Sequence, residues 1–210
     1  MESCLENVLP YIISGDQNGF INGCQLFFNI RTLFNTIHSK HSAVHPEIAI
    51  SLDAEKAFNR VEWEYLFAVL RKSGFGDKFI SWISLMNSTS NARVQTNDTY
   101  SDYFALGRGC HQGCPLSPLL FSFAIEPLSI ALKSSSLFKR IVLYGVEYKL
   151  LLYADDLLLN VTDPIASMTS VLDVLGSFGV VSGYKLNLDK SDCFPVNTPA
   201  LSLQQSDLPF

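Results

Sequence analysis

Two acids stand side by side at Asp155-Asp156, with Leu150, Leu151 and Leu152 before them and Leu157, Leu158 and Leu159 after. A short apolar run bounded by turn signals reads as a buried strand, so residues 149–161 predict a hairpin with both carboxylates at its tip. One continuous helix is the rival, but it would bury two unpaired acids in its middle, which is costly. Like charges about 4 Å apart repel by about 4 kcal/mol at an effective dielectric of about 20. A core-packed tip tolerates that repulsion when a cation sits between the acids. Hard divalent ions such as Mg²⁺ take carboxylate oxygens, often beside substrate phosphates. The tip therefore reads as part of a metal site that needs one more carboxylate. The plain alternative is a solvated turn, since Asp is a common turn residue.

The elements that must position these acids can be read from the same chain. Residues 47–53 alternate apolar and polar positions and end on Asp53, the pattern of a strand that delivers the third carboxylate. Ahead of it, residues 4–14 form an apolar segment broken at Pro10, and a polar, Gly-bearing loop follows at 16–23. From Cys24 to His38, Leu26, Phe27, Ile30, Leu33, Phe34 and Ile37 keep the spacing of an amphipathic helix. His38, His41 and His45 read as its basic end in a wet loop rather than as metal ligands. Asn59 and Glu62 predict a capping box for a helix with Trp63, Leu66, Phe67 and Leu70 on its stripe and Gly74 at its end. A second helix starts near Asp77.

Residues 92–96 and 103–106 flank Asn97-Asp98 and predict another hairpin. Ser117-Pro118 opens a helix that runs to Leu132, with a kink at Pro127. Asp163-Pro164 opens another, closed by Gly179. A short strand at 184–188 precedes Lys190. Helices on one face of a mostly antiparallel sheet make an α+β fold.

Bulk properties bound the function. The chain has 210 residues, 48% of them hydrophobic, enough for one sizeable core. A formal net charge of -5 argues against a protein whose whole surface grips nucleic acid, because such domains carry a basic footprint. A local basic groove is not excluded. The five cysteines are scattered without a CxxC pair. Cys110, His111 and Cys114 have no spaced partners to complete a zinc site, so reduced thiols inside a cell are expected. No apolar run reaches the length of a membrane span, and the start lacks the basic region of a signal peptide.

Four stretches taken in order, residues 51–61 (SLDAEKAFNRV), 112–118 (QGCPLSP), Tyr153-Ala154-Asp155-Asp156 and 183–191 (GYKLNLDKS), resemble a reverse transcriptase. The resemblance is strongest to LINE-type non-LTR retrotransposons of vertebrates. It implies the right-hand polymerase fold, with partial fingers at 1–45, a palm at 46–195, and a tail at 196–210 leading toward a thumb outside the chain. It also implies RNA-directed DNA synthesis with two Mg²⁺ ions, or Mn²⁺ in their place, on Asp53, Asp155 and Asp156. The implied partners are an RNA template, a DNA primer and dNTPs, in an intracellular ribonucleoprotein of nucleus or cytoplasm and not at a membrane.

By the same resemblance Phe58 is a gate against the ribose 2′-hydroxyl, where the residues alone equally allow a core position. Gln112 and Gly113 position template and nucleotide, Tyr153 joins the substrate-binding set, and Lys190 protonates the departing pyrophosphate. Unaided, Lys190 reads as a surface lysine. Cys24, Asn59 and His111 depart from the family's usual Arg, Asp and Arg, and the two lost arginines remove always-charged phosphate donors. Two readings stay open: a polymerase core, or a catalytically inactive, decayed copy that at most binds nucleic acid. The chain alone is expected to polymerise poorly.

Overall fold

The computed structural model describes residues 2–21, 26–38, 44–110, 113–139, 141–143, 146–148 and 150–203. The first half holds α1 (Glu2–Ile12), α2 (Leu26–His38), β1 (Glu47–Ala54), the single turn α3 (Ala57–Arg60), α4 (Trp63–Lys72) and α5 (Asp77–Ser88). Four two-residue strands follow: β2 (Asn91–Ala92), β3 (Gln95–Thr96), β4 (Thr99–Tyr100) and β5 (Phe104–Ala105). The second half holds α6 (Leu116–Ser134), β6 (Ile141–Leu143), β7 (Val146–Tyr148), β8 (Leu150–Tyr153), β9 (Asp156–Thr162), α7 (Pro164–Ser182), β10 (Leu186–Pro195) and a 3-10 turn at Thr198–Ser202.

The main sheet has the order β10-β1-β9-β8, and every pairing in it is antiparallel. Successive strand residues point to opposite faces, so Ile48, Ile50 and Leu52 share one face with Leu157, Leu159 and Val161. All six are buried in one core with Leu120, Phe123 and Leu128 of α6 and Met168, Val171 and Leu175 of α7. Around α6 pack α1, α4 and α7. The result is the α+β arrangement expected from the element order.

Both α6 and α7 are 19 residues long and apolar enough to cross a membrane by length and composition, although neither contains an unbroken apolar run. α6 instead fills the protein interior, with Phe121, Phe123 and Leu128 almost wholly buried. α7 buries only one face, that of Met168, Val171, Leu175 and Phe178.

Several local expectations are corrected. Residues 4–12 are helical through Pro10, which sits in the last turn of α1. Asn59 does not cap a helix: it lies inside α3, and Glu62 is the N-cap of α4 without a side-chain bond. The Glu62 carboxylate is engaged by Arg108 at 3.1 Å instead. Pro115, not Ser117, caps α6, and Ser117 is buried inside it. α7 continues past Gly179 and ends at Gly183, whose φ of 80° suits a C-terminal glycine. β10 runs on to Pro195 and so contains Lys190.

The largest departure is α2. Its apolar stripe is turned outward, with Phe27, Ile30, Phe34 and Ile37 all exposed. Asn29 and Thr36 are buried in its place. The Asn29 amide donates to the Leu152 carbonyl of β8 at 3.1 Å, so a polar contact to the sheet edge docks the helix.

Candidate active site

The register of β1 against β9 ends on the pair Leu52 and Leu157. One step further along each strand stand Asp53 and Asp156, on neighbouring strands about 4.8 Å apart by ordinary sheet geometry. Asp155 occupies the turn that joins Tyr153 to Asp156, and those two residues close the β8–β9 hairpin. The sheet thus brings all three predicted acids to one end, two on strands and one at a tip.

On its other side β1 is irregular. Asp53 pairs with Asn187 while Ser51 pairs with Asp192, so residues 188–191 of β10 bulge out. The Asp53 N–H donates to Ser191 Oγ at 3.2 Å, and the Ser191 hydroxyl donates to the Asn187 carbonyl at 2.8 Å. Bulges of this kind re-aim side chains beside functional sites. Lys190 lies within this one and is exposed.

The electrostatics follow from burial and from the nearness of the acids. Burial, and then the charges of Asp155 and Asp53, hold the Asp156 carboxyl above the usual range. Tyr184 is pushed up first by burial and then by Asp155, Asp53 and Asp156, so its phenol stays neutral beside them. Its hydroxyl is buried without a hydrogen-bond partner among the described residues. Two nearby cations are engaged elsewhere: Lys185 and Arg60 reach Glu55 at 2.7 and 3.1 Å and hold that carboxyl at about 2. Among the described residues, no three His, Cys, Asp or Glu side chains stand close enough together to enclose a metal ion. The three acids are neighbours, but their carboxylates are not drawn into one cluster.

The tip is also strained. Ala154 has φ 56°, a left-handed conformation that costs a residue with a Cβ roughly 1–2 kcal/mol. A segment far away in sequence holds it there. Gln17, fully buried, accepts from the Ala154 N–H at 3.2 Å and donates to the Ala154 carbonyl at 3.3 Å. Sequence reading assigned residues 16–23 to a loop and missed this role. The one available hint was a run of amide side chains, Gln17 and Asn18, beside a glycine between apolar segments.

The remaining predicted residues are placed as follows. Phe58 is half-buried and stacks on Phe121, ring centroids 4.1 Å apart, while Phe20 meets it edge-on at 6.2 Å. That environment is compatible with both the gate and the core reading. Tyr153 is partly exposed next to the acids. Gly113 is exposed with φ 87°. Gln112, together with Cys24 and His111, lies outside the described residues. Cys110 is buried and Cys114 partly so, both as free thiols, and burial lifts the Cys110 thiol to about 12.

Residues 1–204 match the family described as reverse transcriptase (RNA-dependent DNA polymerase). The chain belongs to that family. This reverse transcriptase domain is 31% identical over 189 residues to the transposon TX1 uncharacterized 149 kDa protein of Xenopus laevis, covering 89% of the chain and 14% of that protein. It is 30% identical over 173 residues to a retrovirus-related Pol polyprotein from the type-1 retrotransposable element R2 of Popillia japonica, covering 76% of the chain and 24% of that polyprotein. These are proteins of non-LTR retrotransposons, as the motifs led one to expect, and the chain spans a quarter or less of their length.

Among solved structures, apo telomerase from Candida tropicalis, truncated from its C-terminal domain, superposes with TM-score 0.63 at 16% identity over 92% of this chain and 39% of that one. Telomerase from the same organism in complex with a TWJ fragment of telomeric RNA gives 0.65 at 14% identity, over 93% of this chain and 33% of that one. At these identities the likeness speaks for the fold, which is that of a right-hand polymerase.

Proposed function

We propose that this domain is the RNA-templated DNA-synthesising core of a retrotransposon polymerase, and that Asp53, Asp155 and Asp156 hold two divalent ions for nucleotidyl transfer. One observation carries the reading: the β1–β9 register sets Asp53 beside Asp156 at the turn that bears Asp155. The donor set fits the group. Three carboxylates lie at one sheet end, no described cation pairs with any of them, and burial, followed by the charges of Asp155 and Asp53, holds Asp156 above its usual range. Hard ions such as Mg²⁺, with Mn²⁺ as substitute, favour oxygen donors. When bound, such ions activate the primer 3′-hydroxyl and offset charge on the triphosphate and the departing pyrophosphate.

The chain's own residues supply the rest. Asp53 is fixed by its backbone bond to Ser191, and Asp155 by the strained turn. Phe58, braced by Phe121 and Phe20, offers an apolar wall suited to a sugar without a 2′-hydroxyl. Tyr153 flanks the acids and suits a substrate-side role, and Lys190 is an exposed cation on the bulge next to Asp53. The partners that suit this chemistry are an RNA template, a DNA primer and dNTPs.

The direct test is Mn²⁺ binding to the 210-residue chain, followed by electron paramagnetic resonance, together with extension of oligo(dT) on poly(rA). Asp155→Asn keeps the shape and removes a ligand charge. It should lower Mn²⁺ affinity by more than the roughly 10- to 100-fold typical of residues one step removed from a metal, and it should abolish extension by any active preparation. Unchanged Mn²⁺ affinity in Asp155→Asn would end the metal assignment. Phe58→Ala should admit ribonucleotides; unchanged discrimination would return Phe58 to core packing.

A further inference from the structure

The turn that carries Asp155 is not self-supporting, and what supports it comes from residues 16–20. Leu152 of β8 donates its N–H to the Asp16 carbonyl at 2.9 Å, and the Asn18 N–H donates to the Leu152 carbonyl at 3.0 Å. Gln17 thereby lies alongside the strand as a parallel bridge to Leu152. From there its side chain reaches two residues onward to Ala154. The Gln17 carboxamide oxygen accepts from both the Ala154 and Gly19 amides, and its nitrogen donates to the Ala154 carbonyl. One fully buried side chain thus fixes both polar backbone groups of the residue at φ 56°.

Gly19 completes the contact. A Cβ built on it would overlap the Ala154 amide nitrogen and come within 3.0 Å of the Ala154 Cα. Gly15, in the same segment, would meet nothing within 4 Å. An amide side chain can satisfy an N–H and a carbonyl of one residue together, since it carries one acceptor and one donor group on a planar fork. A carboxylate lacks the donor, and an apolar side chain lacks both.

We infer that Gln17 is a positioning residue for the metal-binding turn: through its two-point bond to Ala154, with Gly19 packed beneath, it holds the backbone that aims Asp155 and Asp156. The inference rests on the metal reading of those acids. It predicts that the clamp, not the acids alone, sets ion affinity, as outer partners of metal ligands commonly do, by about 10- to 100-fold.

The test uses the whole 210-residue chain and Mn²⁺ alone as the probe. Gln17→Met keeps length and volume but removes all three bonds, and Gly19→Ala pushes on the same turn from the backbone side. Each should weaken Mn²⁺ binding about tenfold or more, while Gly15→Ala leaves it unchanged. Leu132→Ala on α6 controls for general destabilisation: matched to Gln17→Met in loss of melting temperature, it should keep wild-type Mn²⁺ affinity. Where Gln17→Met does not fold, Gly19→Ala against Gly15→Ala decides. Wild-type affinity in folded Gln17→Met or Gly19→Ala overturns the inference while leaving the metal reading standing. A wild-type chain that binds no Mn²⁺ overturns both.

Discussion

Two hairpin tips in this molecule look alike in sequence and differ in everything that surrounds them. At Ala154-Asp155 and at Asn97-Asp98, a residue in the left-handed region precedes an acid, with φ 56° and φ 52° respectively. Asn adopts that conformation readily because its short polar side chain bonds locally; Ala has no such compensation. The Asn97 tip closes β3 and β4, only two residues each and exposed throughout. The Ala154 tip closes strands whose Leu150, Leu152, Leu157 and Leu159 are all buried, and Gln17 grips it from outside the hairpin. Strain of this kind persists only where the surroundings over-determine it, and such places concentrate at functional sites. The difference teaches that an acid at a turn is a weak sign of chemistry, whereas an acid on an unfavourable turn held by distant residues is a strong one.

The comparison breaks most visibly in stability. Leu159→Ala removes a wholly buried side chain between the sheet and the helices, and it should cost about 3 kcal/mol in urea unfolding. Tyr100→Ala on the outer hairpin loses contacts that solvent already shares, apart from the ring lying 4.0 Å from the Arg93 guanidinium. It should change stability by no more than about 1 kcal/mol, the scale of an exposed cation–π contact. Comparable losses in the two variants would mean that the outer hairpin is as integral as the inner one.

A smaller effect sharpens the electrostatic side of the contrast. Asp156→Asn removes one of three neighbouring charges from a partly buried site, so the metal-free protein should be slightly more stable at neutral pH, by less than about 1 kcal/mol once solvent screening is counted. Mg²⁺ should then raise the melting temperature of the wild type more than that of the variant, because a ligand stabilises only the state that binds it. Asp98→Asn at the other tip should show neither effect. A Mg²⁺ response equal in wild type and Asp156→Asn would detach Asp156 from the ion site.

How much of this was legible beforehand divides along the same line. The three acids, the strand ending at Asp53 and the hairpin around Asp155 were readable because period-2 patterns and adjacent carboxylates are local signals. The placing of α2 was not. Its stripe of Phe27, Ile30, Phe34 and Ile37 gives a helix, but a periodic pattern does not say which face meets the protein. That was decided by the bond from Asn29 to the Leu152 carbonyl, a contact across 123 residues of sequence. Asn59 and Glu62 match a capping box, yet Arg108 takes the Glu62 carboxylate from a distant loop. Gly179 carries the same end-of-helix signal as Gly183, but only Gly183 is left-handed. Gln17 was invisible for the same reason: its partner is 137 residues away.

The finest test of the comparison is glycine at each tip. Ala154→Gly relieves a left-handed Ala worth roughly 1–2 kcal/mol, against the extra chain entropy of a Gly in the unfolded state, roughly 0.4–1 kcal/mol. The net is a gain of about 0.5 kcal/mol, seen as a small rise in melting temperature. Asn97→Gly starts from a residue that already tolerates the conformation, so the entropy dominates and the protein should be neutral or slightly less stable. Because Gln17 bonds the backbone of residue 154 and not its side chain, Ala154→Gly keeps both hydrogen bonds, and its Mn²⁺ affinity should stay near wild type. A stabilised Ala154→Gly that binds ions normally separates the two ingredients of the tip, with strain as a consequence of the geometry and the Gln17 grip as its cause. An Ala154→Gly variant that loses Mn²⁺ affinity would reverse that order, making the Cβ of Ala154 itself part of what aims Asp155.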